Sequence, residues 1–235
     1  MMLIRSMVRH IPVIALLMMA MVLSSGTALA DVTYTDYIDI RASSIAVQIT
    51  ETYTGGDAAI IEREIAESDD RSTYIREAES NILAWSRSYI IVDDDPLQTE
   101  TERVDVDVTN ISGSFLINST LEYAVATPLD HGRHSIWIQG HPGVASRTII
   151  LPDDIDMESI VGIRESEIVD GAGYTMITGV SATREFMSNG RPTFEYATVV
   201  KVCKRPIHTQ PWFLPLLAAI EVTLISLWWV CRKKQ

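Results

Sequence analysis

Apolar and polar residues alternate along much of this chain, as they do in strands that are buried on one face. The alternation is strictest over Arg103–Val108, where the valines take one face while Asp105 and Asp107 take the other. It recurs over Thr33–Ile40, Ile45–Tyr53, Phe115–Val125, His134–Gln139, Thr148–Leu151, Tyr174–Phe186 and Phe194–Val202. The pattern therefore predicts about eight strands, the last two joined by a hairpin turn at Asn189-Gly190.

Between the predicted strands Ile45–Tyr53 and Arg103–Val108, the spacing of apolar residues becomes that of a helix. Ile75, Ala78, Ile82 and Trp85 form one apolar stripe, and the polar run at positions 67–70 is expected to divide the segment into two helices. Asp57 is a predicted N-cap for the first helix, and Asp153–Ile163 is predicted to be a loop or a short helix. Because short turns join neighbouring strands, most pairing should be antiparallel. The predicted fold class is α+β: a mainly antiparallel sheet with an inserted helical pair, plus one C-terminal transmembrane helix.

The first 30 residues have the composition of a secretory signal peptide. Arg5 and Arg9 precede an apolar run, Ile11–Leu23, and the small-residue sequence Ala28-Leu29-Ala30 follows. We therefore expect residues 1–30 to direct export and the following domain to lie outside the cytoplasm.

A second apolar stretch runs from Trp212 to Cys231, and Arg232, Lys233 and Lys234 follow it. About 20 apolar residues are needed to cross a bilayer as a helix. The sequence thus predicts an extracytoplasmic domain at 31–205, a short stalk at 206–211, a transmembrane helix in contact with lipid at 212–231 and a cytoplasmic tail at 232–235. The expected product is a single-pass type I protein of the cell membrane.

Glu221 lies in the middle of this predicted span. An ionised carboxylate is costly there, by roughly 2.5–3.5 kcal/mol on insertion scales. One interpretation is a protonated side chain tolerated in lipid. The other, which we favour at this stage, is that Glu221 contacts another membrane helix or its own copy in a homodimer.

The predicted outer domain is strongly acidic. Residues 31–210 contain 30 Asp and Glu against 14 Lys and Arg, a net charge of 14 − 30 = −16. Nucleic acid requires a basic surface, so it is excluded as a partner. The chain has two cysteines, Cys203 and Cys231, at opposite ends of the predicted span. They cannot pair with each other, and both are expected to be free thiols unless Cys203 links two chains.

Two groups of residues are candidates for metal binding. His131 and His134, with Asp130 beside them and His141 nearby, could ligate zinc, although the H-E-x-x-H pattern is absent. Asp154, Asp156 and Glu158, near Asp153, crowd one loop, and Asp93–Asp95 crowd another. Such oxygen-rich loops could hold calcium, but the EF-hand spacing is missing. Surface turns and solvated loops are the alternative interpretations.

Two sequons, at Asn110 and Asn118, are candidate N-glycosylation sites. We find neither G-x-S-x-G nor a phosphate-binding glycine loop, so no catalytic residue is assigned. The leading hypothesis is a membrane-anchored, non-enzymatic extracytoplasmic domain that binds a partner or serves as an accessory subunit of an envelope complex. The alternative is a cell-surface metal-dependent hydrolase that uses the region of His131 and His134.

Overall fold

Twelve strands and three helices make up the part of the chain that the computed structural model describes, which is residues 32–68, 70–206 and 212–232. The helices are α1 (Gly55–Glu67), α2 (Arg71–Ser86) and α3 (Phe213–Arg232). The strands are β1 (Val32–Ile40), β2 (Ser44–Tyr53), β3 (Ile90–Val92), β4 (Thr99–Ile111), β5 (Ser114–Val125), β6 (Arg133–Gln139), β7 (Val144–Pro152), β8 (Ile155–Val161), β9 (Ile163–Gly171), β10 (Tyr174–Ser181), β11 (Thr183–Ser188) and β12 (Arg191–Lys204).

Seven strands form the larger sheet, in the order β4-β5-β2-β1-β7-β10-β9. All neighbours are antiparallel except β1 and β7, which run parallel and bring Asp36 beside Arg147. The parallel contact requires a long connection, and everything from β2 to β6 lies within it. The candidate site is built at this contact.

The smaller sheet has five strands, in the order β11-β12-β6-β3, with β8 also paired to β12. Its central strand, β12, is 14 residues long and changes partners along its length. Residues 191–196 pair with β11, whereas residues 197–204 pair with β6 and β8.

One face of the larger sheet is covered by two different layers. Leu121 and Tyr123 pack in a core with residues of the smaller sheet, such as Ile136 and Val200. Farther along the same face of β5, Phe115 and Ile117 pack against α1 and α2. The smaller sheet and the helical pair therefore lie side by side on the larger sheet, and a seam separates them.

The opposite face of the larger sheet remains open to solvent over the described residues. It is rich in threonine and includes Thr33, Thr50 and Tyr37. An antiparallel sheet commonly buries one face and exposes the other, which explains the alternation in the sequence.

The β-rich character and the helical pair inserted after the second strand agree with the sequence-based prediction. The N-cap of α1 is Thr54 rather than Asp57, which lies in the first turn, and Asp70 caps α2 through a 2.7 Å bond from the Thr73 amide. The loop or short helix predicted at Asp153–Ile163 is wrong, because most of this segment, Ile155–Val161, forms β8 and pairs with β12. Strand β9 was not predicted: its residues are almost all exposed, so they show no apolar alternation.

The predicted transmembrane helix at 212–231 needs correction. A helix does form, from Phe213 to Arg232. Over the described residues, however, no helix is long and apolar enough to cross a membrane. The polar side chains of Glu221, Thr223 and Ser226 interrupt its apolar run, and the side chains at positions 227, 230 and 231 are outside the described set.

Several predictions concern residues that the structure does not describe. The predicted signal peptide at 1–30 lies outside the described residues, as do positions 207–211 of the predicted stalk and 233–235 of the predicted tail. These three assignments stay predictions.

Candidate functional site

A buried ion pair lies where the parallel strands β1 and β7 meet. Arg147 is fully buried and Asp36 is 4% exposed. The Nε of Arg147 donates to both carboxylate oxygens at 3.0 Å, and its Nη2 donates to Oδ2 at 2.6 Å. Burial alone would lower the pKa of Arg147, but hydrogen bonds to Asp36 and its charge outweigh burial and raise the pKa. The guanidinium is therefore permanently charged.

The same guanidinium joins several elements of the fold. It donates to the Thr198 hydroxyl on β12 at 2.7 Å and to the Gln139 carbonyl at the end of β6, also at 2.7 Å. Thr198 in turn donates to the Gly162 carbonyl at 3.1 Å. Tyr89, just after α2, donates to Asp36 at 3.2 Å. This network fixes the larger sheet, the smaller sheet and the helical pair to one another.

A groove of about 310 Å³ opens above this network, at the seam between α2 and the smaller sheet. Its walls are mainly apolar and aromatic, as in typical ligand sites. The residues that line it are Tyr34, Thr35, Asp36, Ile49, Glu51, Trp85, Tyr89, Gln139, Gly140, His141 and Val144. The groove thus combines a rigid floor with a few polar groups.

Four aromatic rings line the groove in two tilted pairs. Tyr34 and His141 lie with ring centroids 5.0 Å apart, and Trp85 and Tyr89 lie 5.5 Å apart. Sequence position explains the geometry, because Trp85 belongs to the last turn of α2 and Tyr89 follows that helix directly. Ring faces of this kind can accept apolar groups or cations.

Glu51 is the second carboxylate of the groove. It lies on β2 opposite Tyr34, and it accepts a hydrogen bond from the Tyr53 hydroxyl. Burial and the nearby Glu51 raise the pKa of Tyr53, so the phenol keeps its proton and remains the donor. In contrast to Asp36, Glu51 has no ion-pair partner among the described residues.

Gly140 allows the smaller sheet to approach the groove closely. Its amide donates to the Tyr196 carbonyl at 2.8 Å. A Cβ at this position would lie 2.7 Å from the Ser181 hydroxyl and 2.8 Å from the Tyr196 carbonyl carbon. Any larger residue would therefore push β12 away from β6 and deform the wall of the groove.

The structure does not bring His131 and His134 together as a metal site. His134 is buried, and its Nδ1 lies 2.7 Å from the Asp93 carboxylate while its Nε2 lies 2.7 Å from the His131 carbonyl oxygen. Both ring nitrogens are thus engaged within the chain. His131 is exposed and contacts Asp130 at 2.6 Å.

Arginines occupy the acidic loop that was a candidate for calcium. Arg205 contacts Asp156 at 2.5 Å and Asp153 at 3.4 Å, and Arg133 contacts Glu158 at 2.7 Å. Asp154 contributes its carbonyl to the Arg205 amide. Within the described ranges, no group of three or more His, Cys, Asp or Glu side chains is arranged to hold a metal ion.

The remaining candidate residues lie far apart in the chain. Asn110 is exposed near the end of β4, and Asn118 is half-buried on the open face of the larger sheet, where it accepts a hydrogen bond from Thr50 at 2.8 Å. Their glycosylation stays a prediction. Cys203 is a half-buried free thiol, and Glu221 is exposed on α3. Cys231 has its side chain outside the described residues, and a helix partner for Glu221 stays a prediction.

Sequence reasoning missed the groove entirely. Asp36 and Arg147 each interrupt an apolar strand face at a position where the alternation calls for an apolar residue. Each of two strands has one charged residue on its inward face, and the two charges have opposite signs. Because buried charges are normally paired, this pattern could have indicated an ion pair. Their pairing was not predictable from spacing, since 111 residues separate them.

Comparison of the sequence with protein-family models and with curated proteins gave no match.

Proposed function

We propose that this chain is a non-enzymatic binding domain that acts outside the cytoplasm and holds side chains of a partner in the groove above Asp36 and Arg147. The observation that supports this most directly is the groove of about 310 Å³, lined mainly by apolar and aromatic residues and built on a buried hydrogen-bond network. A preformed pocket with few polar groups is the usual form of a binding site. The order of basic, apolar and small residues from Arg5 to Ala30 is that of a signal peptide, and it supports a location outside the cytoplasm.

The polar groups of the groove favour binding over catalysis. Both oxygens of Asp36 accept hydrogen bonds from Arg147, and Oδ2 accepts another from Tyr89, so the carboxylate is fully engaged within the chain. The Nδ1 of His141 accepts a hydrogen bond from the Gly143 amide at 3.0 Å. These groups hold their positions through contacts within the chain, and they give a bound side chain a fixed surface.

A small neutral aromatic probe tests whether the groove binds at all. The full chain, labelled with ¹³C at isoleucine and valine methyl groups, is titrated with millimolar benzyl alcohol. We expect the methyl resonances of Ile49 and Val144 to shift, since both residues line the groove. The methyl resonances of Ile111, exposed at the end of β4, should stay in place. Shifts spread evenly over all three residues would contradict the proposal.

A matched pair of variants locates the binding. Ile49→Phe fills the groove and should abolish the shift of Val144. Gln48→Phe introduces the same ring on the adjacent residue, which faces the open side of the sheet, and should leave binding intact. If Ile49→Phe does not fold, the contrast between Val144 and Ile111 in the unmodified chain still decides the question.

A further inference from the structure

We infer that the groove binds a positively charged segment of a partner protein, with an arginine or lysine side chain against Glu51. This inference rests on the proposed function, because it names the chemistry of the partner that occupies the same groove. It follows from the charge of the groove, the character of its walls and the charge of a second cleft, which lies between α1 and α2.

The groove has a net negative charge. Of its two carboxylates, Asp36 is neutralised by Arg147, whereas Glu51 accepts only a neutral phenol proton from Tyr53 among the contacts described. Glu51 is half-buried and has no countercharge among the described residues. A ligand that brings a guanidinium or an ammonium group would supply the missing countercharge and make a charge-assisted hydrogen bond.

The surroundings of Glu51 strengthen this negative charge. Burial raises the pKa of Tyr34, and the charges of Glu51 and Asp57 raise it further. Burial, Glu64 and Glu51 have the same effect on the pKa of Tyr74. Three carboxylates thus act on the two tyrosines at this end of the seam, and their combined field attracts cations.

The aromatic walls suit the rest of a basic side chain. Arginine and lysine have apolar stems that pack against rings, and their charged ends interact favourably with ring faces. The rings of Tyr34, Trp85, Tyr89 and His141 line the groove. The apolar stem of a basic side chain could pack against these rings, and its charged end could interact with their faces. An acidic ligand would instead meet Glu51 and be repelled.

A second acidic cleft favours a polypeptide segment over a single small amine. This cleft, of about 580 Å³, lies between α1 and α2 and includes Glu64, Glu67 and Glu77 in its lining. Tyr74 also lines it, and the charges of both Glu64 and Glu51 act on that residue. A chain with two basic side chains could therefore place one in the groove and one in the cleft.

Two peptides that differ only in charge test the inference. The full chain is titrated by calorimetry with an acetylated, amidated pentapeptide that contains two arginines separated by glycine. The reference peptide has citrulline in place of arginine, which keeps the shape and removes the charge. We expect the arginine peptide to bind roughly tenfold more tightly at low salt and less tightly as salt is raised.

Variants assign the difference to Glu51. Glu51→Gln should reduce the preference for arginine over citrulline, and the arginine in the cleft accounts for the part that remains. Glu167→Gln, on the exposed edge strand β9, changes the net charge equally and should preserve the preference. Equal binding of the two peptides, or a preference that Glu51→Gln leaves undiminished, would overturn the inference.

The neutral probe separates this inference from the proposed function. If benzyl alcohol shifts Val144 but arginine gives no advantage, the groove is a binding site and the basic partner is wrong. If neither benzyl alcohol nor either peptide binds, the groove itself is not a binding site and both proposals fail.

Discussion

Arg147 and Asp36 occupy directly adjacent positions on parallel strands, and the guanidinium donates to both oxygens of the carboxylate. Neither group reaches bulk solvent to any useful extent. A buried ion pair contributes less to net stability than its geometry suggests, because both charges lose their hydration. The main role of the pair is to fix the relative positions of the strands: Arg147 on β7 binds groups of β1, β6 and β12 at the floor of the groove.

We predict that breaking this pair is strongly destabilising. Asp36→Asn leaves the Arg147 charge buried without a counterion and should lower the free energy of unfolding in urea by about 3–5 kcal/mol. The double variant Asp36→Leu, Arg147→Met removes both charges and should be less destabilised than Asp36→Asn. Asp39→Asn, on the same strand, is the control, since its partner Arg41 is largely exposed. A double variant less stable than Asp36→Asn would contradict the prediction.

Stability should fall at alkaline pH because of two buried tyrosines. Burial raises the pKa of Tyr89, and the charge of Asp36 raises it further; burial also raises the pKa of Tyr123. A phenol with a raised native pKa stabilises the fold fully below its ordinary value of 10.0, and this contribution is lost as pH rises above that value toward the raised native one.

The measurement is urea unfolding between pH 9 and 11. Each tyrosine should contribute a decrease of about 1.4 kcal/mol per pH unit once the unfolded state ionises. Tyr123→Phe should remove one such contribution and make the slope shallower. Between pH 6 and 8 the slope of this variant should match that of the unmodified chain, because the phenol is protonated in both states. An unchanged slope above pH 10 would argue against the prediction.

Cys203 should react slowly with thiol reagents. Burial raises the pKa of its thiol, and Glu158 and Asp156 raise it further, so little thiolate is present at neutral pH. Glu158→Gln removes one of these negative charges and should speed the reaction with a disulfide reagent at pH 8. Cys231→Ser makes Cys203 the single thiol of the chain for this assay. A slower reaction in Glu158→Gln would show that the charge acts in the opposite sense.

Gly162 and Gly113 offer a test of close packing at matched backbone geometry. Both have positive φ, +78° and +85°. A Cβ on Gly162 would lie 1.8 Å from the Ala197 carbonyl oxygen, whereas nothing lies within 4 Å of one on Gly113. We expect Gly113→Ala to cost about 1–2 kcal/mol from backbone strain alone. Gly162→Ala should cost about 1–3 kcal/mol more, from displacement of β12. Equal losses in thermal and urea unfolding would refute this.

The sequence predicts secondary structure well where a strand or helix buries one face and exposes the other. Phe115–Val125 alternates strictly because one face of β5 packs on the core and the other meets solvent. The two helices were predictable because the stripe that includes Ile75 and Ile82 packs against the sheet. β9 was missed since neither of its faces is buried, and β8 was missed because its buried pattern is weak.

The site was far less predictable than the fold. Asp36 and Arg147 come together through the order of the strands, which local pattern does not determine. The histidines and the acidic residues are candidates for metal binding because they are close in sequence, yet contacts within the chain explain both groups. His134 is held by Asp93, and Asp156 is held by Arg205. Residue type and spacing indicate which side chains could bind a metal or ligand. The tertiary contacts determine which of those side chains are not already engaged within the chain.

The parallel contact between β1 and β7 also has a consequence for the order of folding. The two halves of the floor of the groove lie 111 residues apart, so their meeting closes a large loop. Loop closure of this kind is slow, and hairpins such as β4–β5 can form well before it. We expect the groove to be among the last features to assemble. A nascent chain that ends before β7 could form the β1–β2 and β4–β5 hairpins but would have no binding site, so binding competence would mark the completion of folding.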